Sequence, residues 1–258
     1  MEIAEKLNQI FHGSSRAHGT FTVENNIIGQ KTQGKAKTIK TVGASIKHWQ
    51  DHLEGKQGLG IIPIDEDNLV KWGAIDIDIY SLNLEKLVNK IEEFKLPLVV
   101  CRSKSGGAHV YCFLKEKAPA ADMQDKLREI AAGLGYGGVE IFPKQREVLV
   151  DRGDIGSWLN MPYFEGDESM RYAFDPKAQA LSLINFISFI EQRLISHEEL
   201  VELEVPVLND IKDGPPCLQV LLKQGFPEGT RNNGLFNVGV YLKKSNPENW
   251  ELEIEEYN

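Results

Sequence analysis

The chain has 258 residues, 41% of them hydrophobic, enough to bury a substantial core in one large domain or in a domain with an appendage. No stretch approaches the length of a transmembrane helix, and the mixed-charge start Met1-Glu2-Ile3-Ala4-Glu5-Lys6 is not a signal peptide. A net charge of −9 argues against a nonspecific nucleic-acid coat, and three cysteines (Cys101, Cys112, Cys217) without a CxxC speak against a disulfide framework and for a reducing, cytoplasmic compartment.

Residues 1–12 predict a short amphipathic helix with Ile3, Leu7, Ile10 and Phe11 on one side, stopped by Gly13. Residues 13–43 are rich in Gly, Thr and Lys, with a β-like run Gly19-Thr20-Phe21-Thr22-Val23. Lys31, Lys35, Lys37, Lys40 and Lys47 lie in a stretch without acids, which reads as a nucleic-acid groove or as a solvated polar loop. Ser45 to Leu53 predicts a helix. Gly58 to Ile64 predicts a strand, turned by Asp65 to Asn68 and paired as a hairpin with the next strand, 71–80. Leu84, Leu87, Val88, Ile91 and Phe94 recur at helical spacing behind an N-cap in Ser81-Leu82-Asn83. Strands follow at 98–102 and 108–114, then a helix from Pro119 to Leu134 and a short strand at 139–142. This β-α-β-β-α-β order is the split-βαβ layout of ferredoxin-like and RNA-recognition-like folds. Residues 143–175 are irregular, and 177–203 predict two helices split near Ile195-Ser196, with Ser196 and Glu199 as a capping box. Pro206, Gly214, Pro215 and Pro216 mark a linker over 205–216, followed by helices at 217–224, 230–244 and 247–257.

Asp76 and Asp78 stand on the otherwise apolar strand Lys71-Trp72-Gly73-Ala74-Ile75-Asp76-Ile77-Asp78-Ile79-Tyr80. Residues i and i+2 share a face, so the carboxylates converge while Ile75, Ile77 and Ile79 turn to a core. Converging acids repel, and Mg²⁺ or Mn²⁺ is the usual relief for hard oxygen ligands; two solvated acids on an edge strand are the plainer alternative. Arg102-Ser103-Lys104-Ser105-Gly106-Gly107-Ala108-His109 joins two strands and offers hydroxyls, backbone N–H groups and positive charge, which a polyphosphate needs. It is not a Walker A loop, since a strand follows it; an ordinary Ser/Gly hairpin and a core histidine remain open alternatives. Glu140 is a third acid, on the apolar run Val139-Glu140-Ile141-Phe142, with Lys144, Gln145 and Arg146 directly after it. The split layout is expected to set its first and last strands at the sheet centre, where Glu140 meets Asp76 and Asp78. Three carboxylates so placed would hold two divalent cations about 3.5–4 Å apart, suited to in-line nucleotidyl transfer.

These three segments, from Gly73 to Tyr80, Arg102 to Tyr111 and Val139 to Gln145, resemble the three motifs of the archaeo-eukaryotic primase superfamily, in the primase-polymerase form of phages, plasmids and conflict systems. The resemblance runs from about Phe11 to Phe164 and takes in Trp158-Leu159-Asn160-Met161-Pro162-Tyr163-Phe164. It implies that Asp76, Asp78 and Glu140 are catalytic ligands of two Mg²⁺ or Mn²⁺ ions. It implies nucleotide-binding roles for Ser103 and His109, with Arg102, Lys104, Ser105, Lys144 and Asn160 beside them. Glu140 stands where aspartate is more usual, which keeps an oxygen ligand but lengthens the reach by one methylene. Primases of this kind often carry a zinc site, and this sequence shows no Cys/His cluster for one. The stretch from Pro215 to Asn258 resembles the helical primase C-terminal module of mobile-element replication proteins. Arg231 is expected to join Lys35 and Lys37 in DNA binding, while Asn232 and Asn233 read as helix caps. The last helix stops without Gly, Pro or basic residues, which reads as a piece of a longer primase–helicase or simply as the end of the chain.

The resulting expectation is an α+β chain. Residues 1–204 form an RRM-like split-βαβ catalytic domain with an N-terminal α/β extension, 205–216 a linker and 217–258 a small all-α module. The implied activity is template-dependent synthesis or extension of primers on single-stranded DNA from nucleoside triphosphates (NTP or dNTP). A helicase domain or replicative helicase is the implied partner, in the cytoplasm of a prokaryotic or phage-infected cell. A rolling-circle nickase would need His-x-His on one strand, where this chain has His109-Val110-Tyr111. A non-catalytic RRM-like nucleic-acid-binding module would carry stacking aromatics where this sheet carries acids.

Overall fold

The computed structural model describes residues 3–25, 33–79, 81–206, 214–224, 226, 229–255 and 257. Lys31, Tyr80 and most of the expected linker, 207–213, lie outside the described residues. The fold is mixed α+β, with two four-stranded antiparallel sheets.

The catalytic-candidate sheet is built from β4 (Leu69–Ile77), β5 (Leu98–Arg102), β6 (Ala108–Pro119) and β7 (Glu140–Phe142), in the order β5-β6-β4-β7. With α3 (Leu84–Glu93) and α4 (Ala120–Gly133) between them, these strands follow the expected β-α-β-β-α-β order. Period-2 alternation sorts their side chains onto two faces. Ile75, Ile77, Val110 and Cys112 turn toward Leu87, Val88 and Ile91 of α3 and Met123, Leu127 and Ile130 of α4. Gly73 lets α4 lie directly on β4: a Cβ there would stand 2.6 Å from Met123 Cγ and 2.7 Å from Leu127 Cδ1. The other face carries Trp72, Ala74, Tyr111, Phe113, Val99 and Cys101.

That second face is covered by the N-terminal layer. The second sheet runs β2-β1-β3-β8, from β1 (His18–Asn25), β2 (Gln33–Ile39), β3 (Gly58–Ile61) and β8 (Leu159–Asn160). It is joined by α1 (Ile3–Ile10), α2 (Ile46–Leu53) and α5 (Leu183–Gln192). Phe11, placed by α1, is the hub between the layers: its ring centroid lies 5.5 Å from Trp49 and Tyr111 and 5.3 Å from Trp72 and Phe113. Truncating a ring so placed costs about 3–5 kcal/mol. Ser45 caps α2 in a capping box closed by the His48 side chain, and Asn83 caps α3 by accepting from Lys86 N–H.

Four expectations are corrected. Residues 58–64 do not pair with the acidic strand; β3 pairs with β1 and β8 in the other sheet. Beyond Ile61 the chain leaves the ladder, Pro63 offers no N–H, and the Asp65 carboxylate gathers the Asp67 and Leu69 N–H groups into a turn. β4 ends at Ile77, because its partner β6 begins at Ala108 opposite Ile77. Asp78 therefore follows the ladder, and Ile79 is exposed, outside the core it was assigned to. β7 is the edge strand, not a central one, although it lies beside β4 as the argument required. Finally, residues 177–182 are not helical. The Asp175 carboxylate accepts from the Lys177 and Gln179 backbone N–H groups, a local turn that outcompetes helix initiation until Ser182 caps α5.

Helix α6 (His197–Glu202) starts at the expected Ser196/Glu199 capping box. Val205 then packs beside Gly133 of α4, within the core that holds α3 and α4. Helices α7 (Pro216–Gln224), α8 (Arg231–Ser245) and α9 (Trp250–Glu255) enclose a separate small core of Leu218, Val238 and Leu242.

Candidate active site

Strand register assembles the site. Across the sheet face that meets the N-terminal layer, Cys101, His109, Asp76 and Glu140 form one row on β5, β6, β4 and β7: His109 pairs with both Cys101 and Asp76, and Asp76 with Glu140. The row beneath, Val99, Tyr111, Ala74 and Phe142, is buried. Asp76 thus sits where the covering layer gives out, and Asp78 follows two residues on.

Each acid has a partner of its own. Asp76 Oδ1 lies 3.4 Å from His109 Nε2. Asp78 Oδ1 accepts from the Ser105 hydroxyl at 2.7 Å. Glu140 Oε2 lies 2.7 Å from Lys144 Nζ, in an i,i+4 pair on the rim. Burial, followed by the like charges of Glu140 and Asp78, pushes the Asp76 carboxyl up to about 6. Burial, reinforced by the Arg171 charge, pushes His109 down to about 4. The ring is therefore neutral at pH 7 and its contact with Asp76 is not an ion pair. With Nε2–H toward Asp76, Nδ1 accepts from the Tyr111 hydroxyl at 3.2 Å, and burial keeps that phenol protonated.

The turn 103–107 is held against the end of β4. Ser103 N–H donates to Gly107 O at 2.9 Å, and the Ser103 and Ser105 hydroxyls are 3.1 Å apart. Gly106 takes a left-handed φ of 92°. At Gly107 a Cβ would fall 2.0 Å from Ile77 O, so only glycine lets the turn cross the strand end. Lys104 reaches the N-terminal sheet instead, its ammonium 3.2 Å from the Phe21 ring centroid. Arg102 donates to Met170 O at 3.3 Å.

Asn160 projects from the face of the N-terminal sheet that bears Phe21, as its register opposite Gly60 and that of Gly60 opposite Gly19 require. Its Oδ1 is buried and has no hydrogen-bond donor among the described residues. Trp158 covers Gly19 and Gly60 on the same face and donates to Thr38 Oγ1 at 3.0 Å. Lys35 and Lys37 alternate with Thr38 on the edge strand β2 and point to the opposite face. Arg231 lines a cleft between α3, α4 and the C-terminal helices. The register therefore unites Asp76, Asp78, Glu140, Ser103, Ser105 and His109, and leaves Lys35, Lys37 and Arg231 apart from them.

The residues fit a divalent cation by chemistry: three oxygen-donor acids from adjacent positions, one of them destabilised by the charge of the other two. Their side chains are turned to their separate partners, and among the described residues no three His, Cys, Asp or Glu already converge as a metal cage.

Arg171 was passed over by the sequence reading, because nothing local marks it within an irregular stretch. Ala173 bridges to Cys101, and Arg102 N–H donates to Tyr172 O at 2.9 Å, which sets Arg171 at the margin of the row beside the 103–107 turn.

The raised Asp76 carboxyl predicts a pH effect. In the unfolded chain it ionises near 3.8, in the folded protein near 6, so the folded state holds the proton more tightly and stability falls as pH rises from about 4 to about 6. His109 and the buried His52, both lowered to about 4, act oppositely: they withdraw stability as pH falls below about 6.5. In metal-free buffer, Asp76→Asn is expected to raise the melting temperature at pH 7.5, by up to about 3 kcal/mol of stability, and to change little at pH 4. Equal melting of variant and wild type at pH 7.5 would show that Asp76 is not under this strain.

A family model for the archaeo-eukaryotic primase domain of TOTE conflict systems matches residues 20–173, a span that holds all three acids, the Ser/Gly turn, Asn160 and Arg171. No curated protein matches the chain.

Proposed function

The chain belongs to the archaeo-eukaryotic primase domain family of TOTE conflict systems, and from that premise we propose that it is a template-dependent DNA primase-polymerase. Membership carries a primase-like nucleotidyltransferase at the level of the family. The observation that supports the finer reading is the row His109, Asp76, Glu140, with Asp78 two residues on and the Ser/Gly turn against the strand end.

In this reading the 3′-hydroxyl of a primer, or of an initiating nucleotide paired to the template, attacks the α-phosphate of an incoming nucleoside triphosphate, and pyrophosphate leaves. When bound to Asp76, Asp78 and Glu140, Mg²⁺ or Mn²⁺ would supply Lewis-acid activation of that hydroxyl and charge relief for the leaving group. The Ser103 and Ser105 hydroxyls receive phosphate oxygens, with Lys104 and Lys144 as cations at the margin. His109, held neutral between Asp76 and Tyr111, offers its Nε2–H to the same phosphates. Asn160 offers a buried acceptor to the sugar or base edge. Single-stranded DNA is the proposed template, and a helicase the proposed partner. A nucleic-acid-binding module without chemistry is disfavoured by acids on the open face, which repel phosphate unless a cation intervenes.

The test is primer synthesis and extension on single-stranded DNA in Mn²⁺, with ribonucleotides and deoxynucleotides supplied separately. A product ladder with either class supports the reading; no incorporation by folded protein with either class removes it. His109→Ala is expected to weaken triphosphate binding by about tenfold while template affinity stays unchanged. The ring is buried, so the variant should also melt earlier. Earlier melting with unchanged nucleotide affinity, measured by titration, would make His109 a core residue only.

A further inference from the structure

We propose that Arg171 is a phosphate ligand, its guanidinium receiving the terminal phosphates of the incoming nucleoside triphosphate beside Ser103 and His109; this rests on the nucleotidyl-transfer reading above. Arg171 is only 8% exposed. Its Nη1 is buried and meets no acceptor; the charge of Glu165 is felt at the guanidinium, but among the described residues no carboxylate makes an ion pair with it. The guanidinium lies 5.3 Å from the Phe164 ring, an aromatic contact that leaves the in-plane N–H donors unspent. A buried guanidinium without an anion costs folding free energy, and an apolar side chain would fill such a place more cheaply. The arrangement makes sense where an anion arrives from outside.

Position identifies that anion. Ala173 pairs with Cys101 in an antiparallel bridge, and the Arg102–Tyr172 hydrogen bond continues it. One further step sets Arg171 opposite Ser103, on the face that bears Cys101 and His109. Its charge is felt at His109 and Tyr111 on one side and at His52 of the N-terminal layer on the other. The neighbouring cations are engaged elsewhere: Lys144 with Glu140, Lys104 over Phe21, and Arg102 with the Met170 carbonyl. A vacant planar fork beside two hydroxyls recognises a polyphosphate, not a base or a sugar.

The experiment measures binding of dATP, dAMP and inorganic tripolyphosphate to the full chain in Mn²⁺ by calorimetry, for wild type, Arg171→Met and Arg171→Lys. Arg171→Met should lose about tenfold or more in affinity for dATP and tripolyphosphate, keep dAMP affinity within about twofold, and melt no earlier than wild type. Arg171→Lys should fall between them, since a point charge replaces the fork. If the methionine variant does not fold, the lysine variant decides: undiminished triphosphate affinity overturns the proposal. So does unchanged dATP affinity in a folded methionine variant, or an equal loss for dAMP and dATP with earlier melting, which is the mark of a structural residue. A wild-type chain that binds neither dATP nor tripolyphosphate would overturn the nucleotidyl-transfer reading itself, an outcome distinct from wild-type binding that the variants retain.

Discussion

Replacing Asp76 and Asp78 together by alanine is expected to reduce nucleotide incorporation by at least about a thousandfold while the protein stays folded. The two effects separate because the acids contribute nothing to the core. Asp76 sits at the open end of a sheet face, and Asp78 lies beyond the last ladder residue, Ile77. Asp76 is held near a pKa of 6 by burial and by the charges of Glu140 and Asp78, so removing the pair relieves repulsion. What is lost is one contact from the buried His109 ring and one exposed hydrogen bond from Ser105. The double variant should therefore melt at or above the wild-type temperature in metal-free buffer, and should no longer gain stability from added Mn²⁺. Full incorporation by the folded double variant would end the two-metal reading; a variant that unfolds would instead make the acids structural, against their placement.

The parts legible in the sequence were those governed by local pattern. Helical spacing from Leu84 to Phe94, the Ser196/Glu199 box and the apolar runs around Asp76 and Val110 fixed elements whose residues speak for themselves. The pairing of Asp76 with Glu140 also followed, because a split βαβ places its first and last strands side by side. The misses share a cause: they depend on partners distant in the chain. β3 looked like a hairpin arm for β4 because the Asp65 turn is local, whereas its true partners include β8, about a hundred residues later. Ile79 looked buried because its strand pattern continues, but the neighbouring strand starts only at Ala108 opposite Ile77. Arg171 was invisible for the same reason. Its burial and its place beside Ser103 come from the bridge between Cys101 and Ala173, which no periodicity announces.

A chain ending at Pro206 is expected to extend a primer in Mn²⁺ but to lose de novo primer synthesis by about a hundredfold or more. The division has a physical basis. The acids, the Ser/Gly turn and both large cores precede residue 206, with Val205 the last residue in them, while α7, α8 and α9 share a small core of their own. Ending at Pro206 keeps the Val205 contact with α4 beside Gly133. The helical module also walls a cleft on the α3 and α4 side of the sheet, away from the row of acids. Ile79, next to Asp78, opens a cleft of about 610 Å³ whose far wall is Leu221, Phe226, Arg231 and Tyr257, with Lys86 and Lys90 on the near side. Basic and aromatic groups so arranged suit a nucleotide or a template strand. Initiation must hold two free nucleotides on the template at once, so a second wall raises the effective concentration of the first nucleotide; extension begins from a duplex and needs no such help. The comparison is product formed with and without a preannealed primer, for the shortened and the full chain side by side. Equal initiation by both would assign the helices to another task, such as joining a helicase. Loss of extension as well, in a shortened chain that still melts cooperatively, would mean that the cleft belongs to the polymerising site itself.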